Sequence, residues 1–217
     1  MKCNFHLSLL FILSINILLA QKFELEANYG YELGAKLTEK PNDINYLKLD
    51  SGSNINISGG VNIGEQMLIK LSWHNQSTSI LIKDQDVSIN ESDLSDINLN
   101  FILAGVTYYL TETKLQPYLG AGVGAAFTSF KNPNLDILNN NIKKSSYYAV
   151  NFEIGAVYWV SEKIGINLKS SIFSPVNFEG FNLPFVDDSD ENELEATKNI
   201  KFLAPYLSFN IGVIFRL

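Results

Sequence analysis

At 217 residues the chain is long enough for one domain and too short for two comfortable ones. Hydrophobic residues make up 46% and charged residues 18%, with mean hydropathy +0.05, which excludes a disordered chain and argues against a polytopic helical membrane protein. The formal charge of −7, without basic clusters, argues against nucleic acid as a partner.

Residues 1–20 read as a secretory signal peptide. Lys2 supplies the positive start, Leu7 to Leu19 an apolar core interrupted by Ser8, Ser14 and Asn16, and Ala20 the residue before cleavage, which leaves a mature domain over 21–217. The single cysteine, Cys3, falls in the leader ahead of the apolar core. The mature domain is therefore expected to lack disulfides, thiol catalysis and cysteine metal ligands.

From Phe23 onward, apolar and polar residues alternate with period two, the mark of strands with two unlike faces. The first strand sets Phe23, Leu25, Ala27, Tyr29, Tyr31 and Leu33 against Glu24, Glu26, Asn28, Gly30 and Glu32. The second sets Ile55, Ile57, Val61 and Ile63 against Asn54, Asn56, Ser58 and Asn62. The third sets Met67, Ile69, Leu71 and Trp73 against Lys70, Ser72, His74 and Gln76. The fourth, near 97–110, changes phase: Ile97, Leu99, Phe101 and Leu103 precede Val106, Tyr108 and Leu110, which predicts a bulge at Ala104–Gly105. The fifth runs Leu119 to Thr128 with interior glycines, the sixth Tyr148 to Val160, the seventh Ile164 to Ile172 and the eighth Leu203 to Leu217.

The apolar faces, so assigned, carry no charge. This suits hydrocarbon, where a Lys or Arg at mid-depth costs about 2–4 kcal/mol. Backbone groups in lipid must all be paired, so such strands close on themselves. The expected fold is all-β: an eight-stranded antiparallel up-and-down transmembrane β-barrel. Short connections near 64–66, 111–115 and 161–163 alternate with long ones near 38–53, 78–93, 131–144 and 174–198. Short turns on the periplasmic side of an outer membrane and long loops outside would give this alternation, with both termini periplasmic. Tyr108, Tyr158 and Phe215 by the turns, and Trp73, Phe127 and Tyr148 toward the loops, are expected to form interfacial girdles.

The opposite faces gather charge. Glu24, Glu26, Lys70, Glu153, Lys169 and Arg216 are expected to form an interior polar network, with Lys169 beside Glu153 and Arg216 beside Glu24 or Glu26 where the last strand meets the first. An eight-stranded barrel is just wide enough for side chains to fill, so no open pore is expected. His74 is the only histidine after the leader. It shares the interior face with Lys70 and Gln76, Ser77 lies on the other face, and no catalytic residue is expected. The acidic stretch of Asp187, Asp188, Asp190, Glu191, Glu193 and Glu195 lacks the ordered spacing of a calcium loop. No metal or cofactor is expected.

The C-terminal run Asn210-Ile211-Gly212-Val213-Ile214-Phe215-Arg216-Leu217 resembles the signal by which the barrel-assembly machinery recognises its clients, with Asn210, Gly212, Phe215 and Leu217 in the matching positions. That signal commonly ends in Phe, and Leu217 departs from it. The runs Gln116-Pro117-Tyr118-Leu119-Gly120-Ala121-Gly122-Val123-Gly124 and Gly155-Ala156-Val157-Tyr158-Trp159 are similar to OmpA-like, OmpX-like and PorT-like outer-membrane barrel domains. The resemblance spans Phe23 to Leu217. It implies a monomeric outer-membrane protein in contact with lipid and lipopolysaccharide, assembled by that machinery, with a structural or surface-interaction role. A PorT-like accessory role in secretion or envelope assembly is the alternative, and a lipid-A-modifying enzyme the third reading.

Overall fold

The computed structural model describes residues 22–36, 46–84, 88–135, 146–176, 181–185, 196–200 and 206–217. The expected signal peptide and the acidic stretch of residues 187–195 lie outside these. The strands are β1 (Phe23–Glu32), β2 (Ala35–Lys36), β3 (Tyr46–Leu49), β4 (Gly52–Ile63), β5 (Met67–Asp84), β6 (Ser88–Tyr109), β7 (Leu115–Lys131), β8 (Ser146–Trp159), β9 (Ile164–Val176), β10 (Phe181–Phe185), β11 (Ala196–Ile200) and β12 (Tyr206–Arg216). Eight of them close a ring in the order β1, β4, β5, β6, β7, β8, β9, β12, each antiparallel to its neighbours, with β12 pairing back on β1. β2 and β3 extend the first hairpin, and β10 and β11 form a separate ribbon. This is the eight-stranded barrel that the alternation predicts.

The turns at 64–66, 110–114 and 160–163 lie at one end, beside Phe23 and Leu217, whose backbones bond each other. Gly64 supplies the left-handed backbone of the first turn, at φ 70°, where a side chain would be strained.

Two expectations need correction. The expected loop at 78–93 is largely strand, because β5 runs to Asp84 and β6 starts at Ser88. Ile80 and Ile82 are buried on the inner side, while β3 pairs along residues 80–83 and extends the wall. The register shifts of this hairpin fall there, at Ile80/Leu81 and Ile82/Asp84.

The expected bulge at Ala104–Gly105 is absent. β6 pairs with β7 without interruption from Asp96 opposite Lys131 to Tyr109 opposite Tyr118. One phase therefore holds throughout. Ile102, Val106 and Tyr108 face outward, whereas Ile97, Leu99, Phe101 and Leu103 face inward and are buried. They belong to an apolar interior cluster with Leu47, Leu49, Ile80, Ala126, Ala149 and Phe173. Hydrocarbon thus enters the loop half of the lumen, beside buried polar residues such as Gln76, Thr78 and Thr128. Leu203, the expected start of the eighth strand, lies outside the described residues.

Outside, the exposed surface is an apolar belt. Leu25, Tyr29, Ile57, Leu71, Ile102, Leu119, Val123, Phe152, Ile154, Leu168 and Ile211 are among its members, and none of its strand positions carries a charge. Trp73, Phe127 and Tyr148 mark the loop side, and Tyr108, Tyr158 and Phe215 the turn side. A solvated sheet would present polar side chains on this face. Only a lipid environment makes such a belt favourable.

Candidate functional site

The strands gather a set of charged and polar side chains inside the ring, in layers. At the turn end, Arg216 donates from Nε and Nη2 to Glu24 Oε1 at 2.9 and 2.7 Å, and its guanidinium stacks 3.9 Å over Trp159. Glu24 Oε2 also accepts from Tyr109 at 2.8 Å, and Trp159 Nε1 donates to Gln116 at 2.7 Å. Tyr109, Tyr118, Val157, Trp159, Leu68 and Ile214 pack into a small interior cluster around these groups. Arg216 and Trp159 floor a mouth of about 730 Å³ between the turns, rimmed by Lys22, Glu112, Lys114, Glu162 and Lys163.

One layer further in, Glu26 accepts from Lys169 Nζ and Asn167 at 2.7 Å each, Ser58 at 2.8 Å and Asn28 at 2.5 Å. Lys70 bonds Glu153 and lies 3.8 Å from Glu26, while Lys169 lies 3.9 Å from Glu153. These contacts reach across the lumen from β1 and β5 to β8 and β9. Glycines make the room: a Cβ on Gly120 would meet Glu153 Cγ at 2.5 Å, and one on Gly155 would meet the Tyr118 ring at 2.6 Å. Three acids, Glu24, Glu26 and Glu153, thus face three bases, Lys70, Lys169 and Arg216, and the charge of this network balances.

Nearer the loops, His74 Nε2 and Glu32 Oε1 are 2.5 Å apart, both buried. The imidazole stacks on Phe173 with centroids 4.3 Å apart and meets the edge of Phe101. It faces the lumen and not the lipid, and its ring nitrogen meets the Glu32 carboxylate. On its loop side lies the apolar cluster. Among the described residues, no group of three or more His, Cys, Asp or Glu is placed to hold a metal ion.

The lysine pairings exceed what neighbouring strands suggest. Lys70 joins Glu153 from across the barrel, and Lys169 bonds Glu26 more closely than Glu153. The Glu32–His74 pair and the inward Tyr109 and Tyr118 were not anticipated. The alternation that puts them inside was the available signal.

Beyond the belt, the β5–β6 hairpin continues as a wall. β6 alone has 22 residues, about 70 Å when extended, against the 9–11 residues that cross a bilayer. Outward polar side chains replace apolar residues there: Asn75 donates to Asn100 at 2.9 Å, Ser79 to Asp96 at 3.1 Å and Asn132 to Asp96 at 2.8 Å. Tyr46 of β3 donates to Glu91 at 2.5 Å, a bond that pushes its hydroxyl pKa up, and Lys48 lies 3.9 Å from Glu91.

A closed ring of eight antiparallel strands, apolar without and charge-paired within, defines an outer-membrane-type β-barrel. Solved structures of that class are similar to it throughout. Outer membrane protein OprG from Pseudomonas aeruginosa matches at TM-score 0.65 and 15% identity, over 91% of this chain and 96% of that one. AlkL, solved in DMPC bilayers, matches at TM-score 0.55 and 14% identity, over 91% and 90%. Neisserial surface protein A matches at 0.52 and 13%, over 90% and 97%. No family model and no curated protein sequence matches the chain. The resemblance to small outer-membrane barrels thus holds at the level of the fold.

Proposed function

We propose that this protein is a non-conducting, non-enzymatic barrel that holds a β-rich wall above the outer membrane as a structural or surface-interaction element. The carrying observation is that side chains block the lumen at two levels. Leu49, Ile80, Ile97, Leu99, Phe101 and Phe173 crowd its loop half, and the balanced ion pairs cross its turn half. An ion crossing that apolar section would lose its water and find few polar groups in exchange, since Thr78 and Ser95 are already hydrogen-bonded to the carbonyls of Asp50 and Lys131. The buried His74, held by Glu32 between Phe101 and Phe173, favours a packing role over catalysis on lipid.

In this reading the belt contacts lipid and, outside, lipopolysaccharide; the turns and both termini face the periplasm; and the barrel acts as a monomer, its closed ring leaving no ring-strand edge for a second copy to pair with. Phe215 on β12 and Leu217 just after it are exposed on the outer side, while Asn210 and Gly212 point inward, a placement suited to an assembly signal read from the lipid-facing edge.

The test is conductance of the purified barrel in planar bilayers, beside thiol labelling of intact cells carrying Ser79→Cys or Glu162→Cys. The expected results are no steady conductance, labelling at position 79 and none at position 162. Sustained ohmic conductance would overturn the sealed-lumen reading, and labelling at position 162 alone would reverse the orientation.

A further inference from the structure

Between the charge network and the apolar cluster lies a layer whose hydrogen bonding is incomplete. Asn54 on β4 stands opposite Gln76 on β5, and opposite Gly30 on β1, whose other partner is Asn210 on β12. Glu32 follows two positions along β1 and reaches His74 across β4. These inward side chains are buried to 3% exposure or less. Yet Glu32 Oε2, both amide atoms of Asn54, both amide atoms of Gln76 and Asn210 Oδ1 have no hydrogen-bond partner. One layer down the situation is different, since Asn28, Asn56 and Asn167 are bonded to Glu26, to Lys169 or to one another.

Buried polar groups left unpaired are costly, and native proteins rarely keep several together unless something occupies the space between them. The donor inventory narrows what that is. Four oxygens accept and two amide nitrogens donate. A cation would satisfy the oxygens but meet the amide N–H groups. An anion would meet the Glu32 carboxylate. A purely apolar molecule would satisfy nothing. We infer that Glu32, Asn54, Gln76 and Asn210 line an internal binding site for a neutral ligand that both donates and accepts hydrogen bonds through hydroxyl groups, retained there by the apolar cluster above it.

Two sources share this chemistry, ordered water and a small polyol. The experiment uses the full mature barrel in lipid nanodiscs. It records magnetisation transfer from solvent hydroxyl protons to the side-chain NH2 groups of Asn54 and Gln76, assigned by selective labelling, first in buffer and then with glycerol. The expected result is transfer severalfold above that at the backbone amide of Leu99, which faces the apolar cluster. Shifts of both NH2 resonances on adding glycerol identify a polyol occupant, and unchanged resonances identify water. Absence of transfer to both NH2 groups in either solvent overturns the inference. Asn54→Leu with Gln76→Leu gives a second reading. An occupied site predicts a lower urea midpoint, because the ligand loses its partners, whereas a dry one predicts a higher midpoint.

Discussion

The interior ion network makes a quantitative claim at Glu26. Its carboxylate accepts from Lys169, Asn167, Ser58 and Asn28 within 2.8 Å, and Lys70 lies 3.8 Å away. Glu26→Gln keeps the shape but removes one negative charge. Lys169 then retains Asn56 at 2.7 Å and Glu153 at 3.9 Å, while Glu153 already serves Lys70, so one buried positive charge is left without compensation. A broken buried pair costs about 3–5 kcal/mol. Lys169→Met leaves the opposite imbalance and should cost a similar amount. The double variant restores neutrality and should cost about 2 kcal/mol or more below the sum of the single changes, the coupling expected of residues in one network. Urea unfolding of the barrel in phospholipid vesicles, followed by heat-modifiable gel mobility and tryptophan fluorescence, measures all three. Single changes below about 1 kcal/mol, or strict additivity, would refute a balanced, desolvated charge network.

Further perturbations probe other layers. Leu71→Arg, mid-belt and facing outward, should destabilise by about 2–4 kcal/mol in the same assay, whereas Leu33→Arg, beyond β1 toward the loop end, should cost about 0–1 kcal/mol; equal effects would contradict the belt. Gly155→Ala sets a Cβ 2.6 Å from both the Leu168 carbonyl and the Tyr118 ring, so about 1–3 kcal/mol should be lost, and an unchanged midpoint would show that Tyr118 does not occupy that slot. On the exposed turns, the hydrogen bond to Glu65 and then its charge raise the Glu112 carboxyl pKa. The folded state therefore holds that proton more tightly than the unfolded chain, so this contribution grows as pH falls through the raised pKa and fades as pH rises. Carboxyl NMR titration should show Glu112 returning toward the ordinary carboxylate range in Glu65→Gln; an unmoved midpoint would dissociate the two groups.

The barrel was legible because a strand sorts its residues by parity, and parity survives any error in the strand ends. Glu24 with Arg216 was legible for the same reason, since closure makes the first and last ring strands neighbours. The fourth strand was misread because hydropathy does not distinguish lipid outside from hydrocarbon inside. Ile97, Leu99, Phe101 and Leu103 look alike in either place, and only the unbroken pairing through Gly105 fixes them inward. Glu32 with His74, and Lys70 with Glu153, cross the lumen between strands that are not adjacent. Strand order alone says nothing about such reach, which depends on side-chain length and on the space that residues such as Gly120 leave open.

The seam between β1 and β12 has a kinetic consequence. Every other strand pairing in the ring joins strands that follow one another among the ring strands, whereas across this seam the Arg216–Glu24 bond spans 192 positions. Its loop-closure entropy is the largest in the molecule, so this junction is expected to form late, after the hairpins have ordered. Until then two strand edges stay unpaired, and Glu24 and Arg216 each lack the opposite charge. The time the sheet spends open, more than the depth of its final energy well, sets how long those edges are exposed to pairing with another chain.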